Sequence, residues 1–214
     1  MAHRRYARDG AQTVMLHVTD GPREGFPPTE LFAGPDGALY YFADTRPGSR
    51  ALWRSDGTRL GTAVVREWPA RDGGPGQFLP QTGLAAFAGR LWFAIDDGVH
   101  GSELWTSDGT SEGTALVADI RPGPLGSSPG HSILPGGLVA AGAALYFAAD
   151  DGVHGIELWT TDGTAEGTRL VQDLAPGRAS SFPLLPTLLG ARLLFSADDG
   201  AAGRELWALD TTDF

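Results

Sequence analysis

The sequence predicts an all-β fold, a four-bladed β-propeller with four antiparallel strands in each blade. Three observations carry this expectation. A 17-residue segment recurs four times without a gap; its closing tryptophans, Trp53, Trp105, Trp159 and Trp207, lie 52, 54 and 48 residues apart; and 31 glycines and 15 prolines punctuate a 214-residue chain. Glycine at about twice its usual ~7% share argues for many short elements joined by tight turns, and against a helical bundle. A repeat of about fifty residues is the length of one four-stranded blade. Apolar residues make up 42% of the chain, enough for a core, which excludes wholesale disorder.

The copies are explicit. Residues 89–105 read GRLWFAIDDGVHGSELW, 143–159 AALYFAADDGVHGIELW and 191–207 ARLLFSADDGAAGRELW, while 37–53, GALYYFADTRPGSRALW, is the most divergent. Within a unit the first strand is an apolar run holding Phe87 or Leu188, ended by a small turn such as Ala88-Gly89 or Leu189-Gly190. The second, residues 145–149, is apolar on both faces, as a strand covered on both sides must be. The third, residues 157–161, alternates in character. The fourth, residues 169–174, follows a turn carrying Asp162-Gly163 and Gly167; Asp-Gly between two such runs signals a hairpin, because glycine accepts the positive φ the turn needs.

The last copy stops seven residues after Trp207, so its fourth strand is missing. The N-terminus supplies one. Residues 13–18, TVMLHV, followed by Asp20-Gly21-Pro22 and Phe26-Pro27, match residues 168–173, TRLVQD, followed by Pro176-Gly177 and Phe182-Pro183. The chain is therefore expected to form a single domain. Residues 1–8 form a flexible tail, 9–28 the outer strand of the last blade with its crossing, and 29–82, 83–136 and 137–186 blades 1 to 3. Residues 187–214 form the inner strands of blade 4. Such closure removes exposed strand edges.

Residues 103–110, ELWTSDGT, and 157–164, ELWTTDGT, resemble the bacterial ELWxxDGT repeat family, and the resemblance extends over nearly the whole chain. Copy 1 departs from the pattern with Ala51 in place of the glutamate, and the last copy reads Ala208-Leu209-Asp210-Thr211 where the family has its turn. The resemblance implies a propeller-type repeat protein. It also implies a surface or secreted location, and says little about chemistry.

Charge and composition exclude some functions. A net charge of −10 repels phosphate backbones, so no nucleic-acid partner is expected. No apolar run is long enough for a membrane span, so no membrane insertion is expected. The N-terminal Met-Ala-His-Arg-Arg-Tyr lacks the apolar stretch of a secretory signal, which points to the cytoplasm; secretion is the alternative if a leader has been trimmed. Zero cysteines exclude disulfides, thiolate zinc sites and cysteine nucleophiles. No Gly-x-Ser-x-Gly elbow, phosphate loop or dinucleotide fingerprint occurs.

The loops between second and third strands open on the same face as the crossings between blades, which places Asp44, Asp96, Asp150 and Asp198 on one rim. Converging oxygens there would suit Ca²⁺, with Asp96, Asp150 and Asp198 as ligands, although no cofactor is required. The competing reading is that each aspartate caps its own loop by accepting backbone N–H bonds. His100 and His154, present in only two of four blades, are candidates for acid–base chemistry, together with Arg46 and His131. Blade 1 breaks the repeat, and Arg46, Arg66, Trp68 and Arg71 are expected to form a basic, aromatic-lined patch suited to a carboxylate, phosphate or sugar. Glu103 and Glu157 suit loop amides better than catalysis. The reading favoured is a non-catalytic binding module that takes a small molecule, glycan or protein on the rim. The alternatives are a lyase, cyclase or hydrolase using the His, Asp and Arg groups of the same face, and a purely structural assembly module. Oligomeric state is not legible in the sequence.

Overall fold

The computed structural model describes residues 6–8, 11–13, 29–46, 49–69, 83–129 and 137–213. Blade 1 is β3 (Thr29–Ala33), β4 (Leu39–Ala43), β5 (Arg50–Ser55) and β6 (Thr62–Trp68). Blade 2 is β7 (Ala85–Phe87), β8 (Arg90–Asp96), β9 (Ser102–Ser107) and β10 (Ala115–Ala118). Blade 3 is β11 (Leu138–Ala141), β12 (Ala144–Asp150), β13 (Ile156–Thr161) and β14 (Arg169–Gln172), and blade 4 is β15 (Leu184–Leu189), β16 (Arg192–Asp198) and β17 (Arg204–Asp210). Each is an antiparallel meander in chain order: three four-stranded sheets and one three-stranded. A short hairpin, β1 (Tyr6–Arg8) with β2 (Ala11–Thr13), precedes them. Among the described residues the helical content is one 3-10 turn, Thr211–Asp213, and no helix is long and apolar enough to cross a membrane.

Packing turns these meanders into a propeller-like array. Three apolar clusters each draw on two successive blades. Phe42, Leu52 and Trp68 of blade 1 meet Phe93 and Trp105 of blade 2. Trp92 and Leu104 of blade 2 meet Phe147 and Trp159 of blade 3, and Tyr146 and Leu158 of blade 3 meet Phe195, with Trp207 beside them. The third-strand tryptophans of blades 2, 3 and 4 thus face the blade before them. The second strands β8 and β12 are buried on both sides, which explains their uninterrupted apolar runs. Fully burying such side chains contributes about 1.5–3 kcal/mol each.

The Asp-Gly-Thr turns are reproduced atom for atom in blades 1, 2 and 3. In blade 2, Asp108 Oδ1 accepts from the Thr110 N–H (2.9 Å) and hydroxyl (2.7 Å), Thr110 Oγ1 accepts from Gly113 N–H (3.0 Å), and the Ser107 and Thr114 hydroxyls meet at 2.7 Å. Gly109 and Gly163 take φ of 90° and 107°, as the hairpin reading expects. Gly113 is held by sterics: a Cβ there would lie 2.0 Å from the Asp108 carboxylate. A bulge falls at the same place between third and fourth strands of blades 1, 2 and 3, after Leu52, Leu104 and Leu158, with Val65, Val117 and Val171 the extra residues.

Blade 4 differs. Whereas β9 and β13 are buried almost throughout, Glu205, Leu206 and Ala208 of β17 are exposed, and β17 pairs only with β16 among the described residues. The matching N-terminal strand expected at residues 14–18 lies outside the described residues.

Candidate functional site

The face where crossings leave each blade is built on two repeated devices. The first is the Asp-Asp-Gly-Val-His loop between second and third strands. Asp96 Oδ1 accepts the Gly98 N–H (2.8 Å), and Asp97 Oδ1 accepts those of Val99 (2.9 Å) and His100 (2.8 Å). Asp97 Oδ2 lies 2.7 Å from His100 Nδ1. Blade 3 repeats every contact with Asp150, Asp151 and His154. Blade 4, with alanines in place of valine and histidine, keeps the backbone caps through Asp198 and Asp199. The Asp97 hydrogen bond raises the His100 pKa above its ordinary 6.5 against a smaller effect of burial, and the charges of Asp97, Asp119 and Glu103 add to it. Burial alone would raise Asp97, but the bonds from His100 and Val99 outweigh it and hold the carboxyl low. His154 and Asp151 behave alike.

The second device is the buried glutamate near the start of the third strand in blades 2 and 3. Glu103 is wholly buried and accepts the N–H groups of Arg121 (3.0 Å) and Ser127 (2.8 Å), with the Ser127 hydroxyl on its other oxygen. Ser127 O then accepts the Asp150 N–H of the next blade (3.0 Å). Glu157 does the same through Ser181, whose carbonyl accepts the Asp198 N–H at 2.9 Å. Burial raises both glutamate pKa values, and the bonds from Ser127 and Ser181 offset part of the rise. Each glutamate therefore pins its own crossing loop, and the loop pins the next blade. Close approach requires glycine here: a Cβ on Gly101 would sit 2.4 Å from Gly126 N.

The other sequence candidates are dispersed. Asp44 is buried beside the buried Arg50, their charged atoms 3.9 Å apart. Arg46 is exposed and paired with Glu67 at 3.3 Å. The expected basic, aromatic rim patch is not formed by Arg66 and Trp68. Strand β6 runs on to Trp68, which pairs with Arg50 in the ladder and is 2% exposed, edge-on to Phe93 and Trp105. Arg66 lies over the Trp105 ring (4.9 Å to its centroid) and donates to Thr114 O, so it fastens blade 1 to blade 2. Arg71 and His131 lie outside the described residues.

No group of three His, Asp or Glu side chains among the described residues could hold a metal ion. The aspartates expected to converge on Ca²⁺ (Asp96, Asp150 and Asp198) each direct Oδ1 at a glycine N–H of their own loop. Asp150 also pairs with Arg121 from the crossing of blade 2.

Sequence reasoning passed over two features. Glu30, at a bulge in β3, has φ of 56° and a pKa pushed up to about 7 by burial, against the opposing charge of Arg50. Nothing in the repeat marks it: the first strand of blade 4 has a register shift at the same place, but the sequence there carries Leu185 and no carboxylate. The other feature is apolar: Val99 (66% exposed), Val153 (59%), Leu125 (72%) and Phe182 (48%) project from the crossing face. Val99 and Val153 were visible in the sequence as apolar residues inside polar loops.

No family model matches the sequence, and no curated protein does. Among solved structures, the chain is similar to a mutant puromycin hydrolase complexed with PGG, at TM-score 0.53 and 20% identity. The match covers 91% of this chain but only 28% of that one. A prolyl endopeptidase matches at TM-score 0.49 and 16% identity, over 95% of this chain and 30% of that one. The first likeness is one of fold and supports an all-β, propeller-like architecture.

Proposed function

We propose that the chain is a closed four-bladed propeller acting as a non-catalytic binding module, with its binding surface on the crossing face. One observation carries the functional part. The side chains there with chemical potential (Asp96, Asp97, His100, Glu103 and their blade 3 counterparts) are engaged in holding the loops, while Val99, Val153, Leu125 and Phe182 stand exposed on those same braced loops. Rigid loops presenting apolar side chains are built for contact, and function resides in the site rather than the scaffold. Closure is supported by the flank of β17 that no described strand pairs, by the exposure of Glu205 where Glu103 and Glu157 are buried, and by Trp53. The other third-strand tryptophans each face the preceding blade, and for Trp53 that blade would be the last.

The test is selection of a phage-displayed random peptide library on the immobilised protein. Retained clones are expected to lose binding to a Val99→Asp, Val153→Asp double variant that melts like the wild type. They are expected to keep binding to Leu60→Asp, whose site is a fully exposed Asp-Gly-Thr turn on the opposite face. Absence of retained clones, or clones indifferent to the double variant, would overturn the reading.

A further inference from the structure

We infer that the partner of this face is a cationic, apolar polypeptide segment seated across the loops of blades 2 and 3. The inference rests on the binding-module reading and adds the chemistry of what is bound. Blades 2 and 3 carry the same unit in register: an exposed valine at the loop tip, a histidine paired to an aspartate beneath it, and an aspartate closing the fourth strand. The groups are Val99, His100, Asp97 and Asp119 in one blade, and Val153, His154, Asp151 and Asp173 in the other. Blade 1 has Gly48 in place of the histidine, and blade 4 has Ala201 and Ala202 in place of valine and histidine. The crossings add apolar surface, since Leu125 and Phe182 are exposed.

Charge selects among apolar partners. The loops and crossings of these two blades hold six aspartates, Asp96, Asp97, Asp119, Asp150, Asp151 and Asp173, against two arginines, Arg121 and Arg178. Arg121 is half-buried and neutralised locally: it pairs with Asp150, and its side chain lies 3.2 Å from where a Gly152 Cβ would be. Aspartates therefore outnumber arginines around the Val99 and Val153 tips, in keeping with a chain of net charge −10, while at Phe182 the Arg204 guanidinium of blade 4 donates to the backbone carbonyl. An acidic or neutral apolar segment would bring hydrophobic contact without electrostatic gain, and a purely basic one would leave the valines unmatched. A segment that alternates aliphatic with Lys or Arg side chains satisfies both. Because the unit is repeated on adjacent blades, one segment can engage both copies, and losing either copy weakens binding more than half the contact area suggests.

Fluorescence anisotropy with three labelled synthetic peptides of equal length tests the proposal: one alternating Leu and Lys, one alternating Leu and Glu, one alternating Ser and Lys. The Leu/Lys peptide is expected to bind at least tenfold more tightly than either control, and to weaken as salt rises. It is expected to lose tenfold or more on the Val99→Asp, Val153→Asp protein, and several-fold on an Asp119→Asn, Asp173→Asn protein. Leu60→Asp is expected to bind it as the wild type does. Equal binding of Leu/Glu would overturn the charge argument, and equal binding of Ser/Lys or a loss in Leu60→Asp would overturn the assignment to this face. In the phage selection, acidic or neutral clones on the crossing face would refute this inference alone. An empty selection would refute the binding-module reading as well.

Discussion

Glu30 shows how a single residue departs from the repeat with a measurable consequence. It sits at a bulge with a left-handed backbone, and its burial raises the carboxyl pKa from 4.5 to about 7 against the opposing charge of Arg50. The folded protein then holds the proton more tightly than the unfolded chain. The stabilising contribution is complete below about pH 4.5 and is lost as pH rises from there to about 7. Glu30→Gln, which cannot ionise, is expected to be more stable than the wild type at pH 8, by on the order of 1–2 kcal/mol after solvent screening. At pH 4 the two are expected to be equal. Urea unfolding at both pH values checks this, and identical differences at both would show that Glu30 ionises freely in the fold. The histidines have the same sense, in a higher pH window. His100 and His154, raised above 6.5 by Asp97 and Asp151, stabilise their loops below that value and cease to do so as pH climbs past their folded pKa.

At the scale of elements, the crossing loop is where blades are joined. Replacing Glu103 by Ala removes a buried acceptor and strands the N–H of Ser127 and Arg121. The expected loss is about 3 kcal/mol in urea unfolding, with Ser127→Ala costing about 1–2 kcal/mol because the backbone bonds survive. If the two losses add in the double variant, Glu103 and Ser127 do not act as one unit. This joint was partly legible in the sequence. The Asp-Gly turns and the fit of Glu103 and Glu157 to loop amides are local patterns with local causes and can be read in the sequence, whereas the caps made by Asp96, Asp150 and Asp198 compete there with a Ca²⁺ reading. The place of Trp68 was not legible. It depends on β6 running past a bulge to pair with Arg50, and a bulge inverts which side chains face the core. Arg66 follows for the same reason, since its ring partner, Trp105, is supplied by another blade. The apolar tips were hidden in a different way: exposure is set by what the neighbouring crossing fails to cover, and a single loop sequence does not show that.

For the whole molecule, the proposed closure of the four blades into one ring would hold the crossing face as a single rigid surface. The three inter-blade clusters establish the stacking of blades 1 to 4. Joining blade 4 to blade 1 is the step assigned to residues 14–18. Their match to residues 169–173 fixes the register as well as the pairing. Arg169 pairs with Thr160 in blade 3, so Val14 is expected opposite Ala208 on the edge of β17 that no described strand pairs. The native chain has no cysteine, so an introduced pair gives an unambiguous readout. The most direct measurement is disulfide formation in folded Val14→Cys, Ala208→Cys protein under mild oxidation, with Val14→Cys, Thr106→Cys as control, because Thr106 is the blade 2 counterpart already paired with Ala115. A disulfide needs Cα atoms within roughly 4.4–6.8 Å, so it reports pairing and not mere proximity. Closure predicts near-complete intramolecular crosslinking of the first pair, a raised melting temperature, and none in the control. A folded protein that keeps both thiols free at positions 14 and 208, or crosslinks the control equally well, would contradict it.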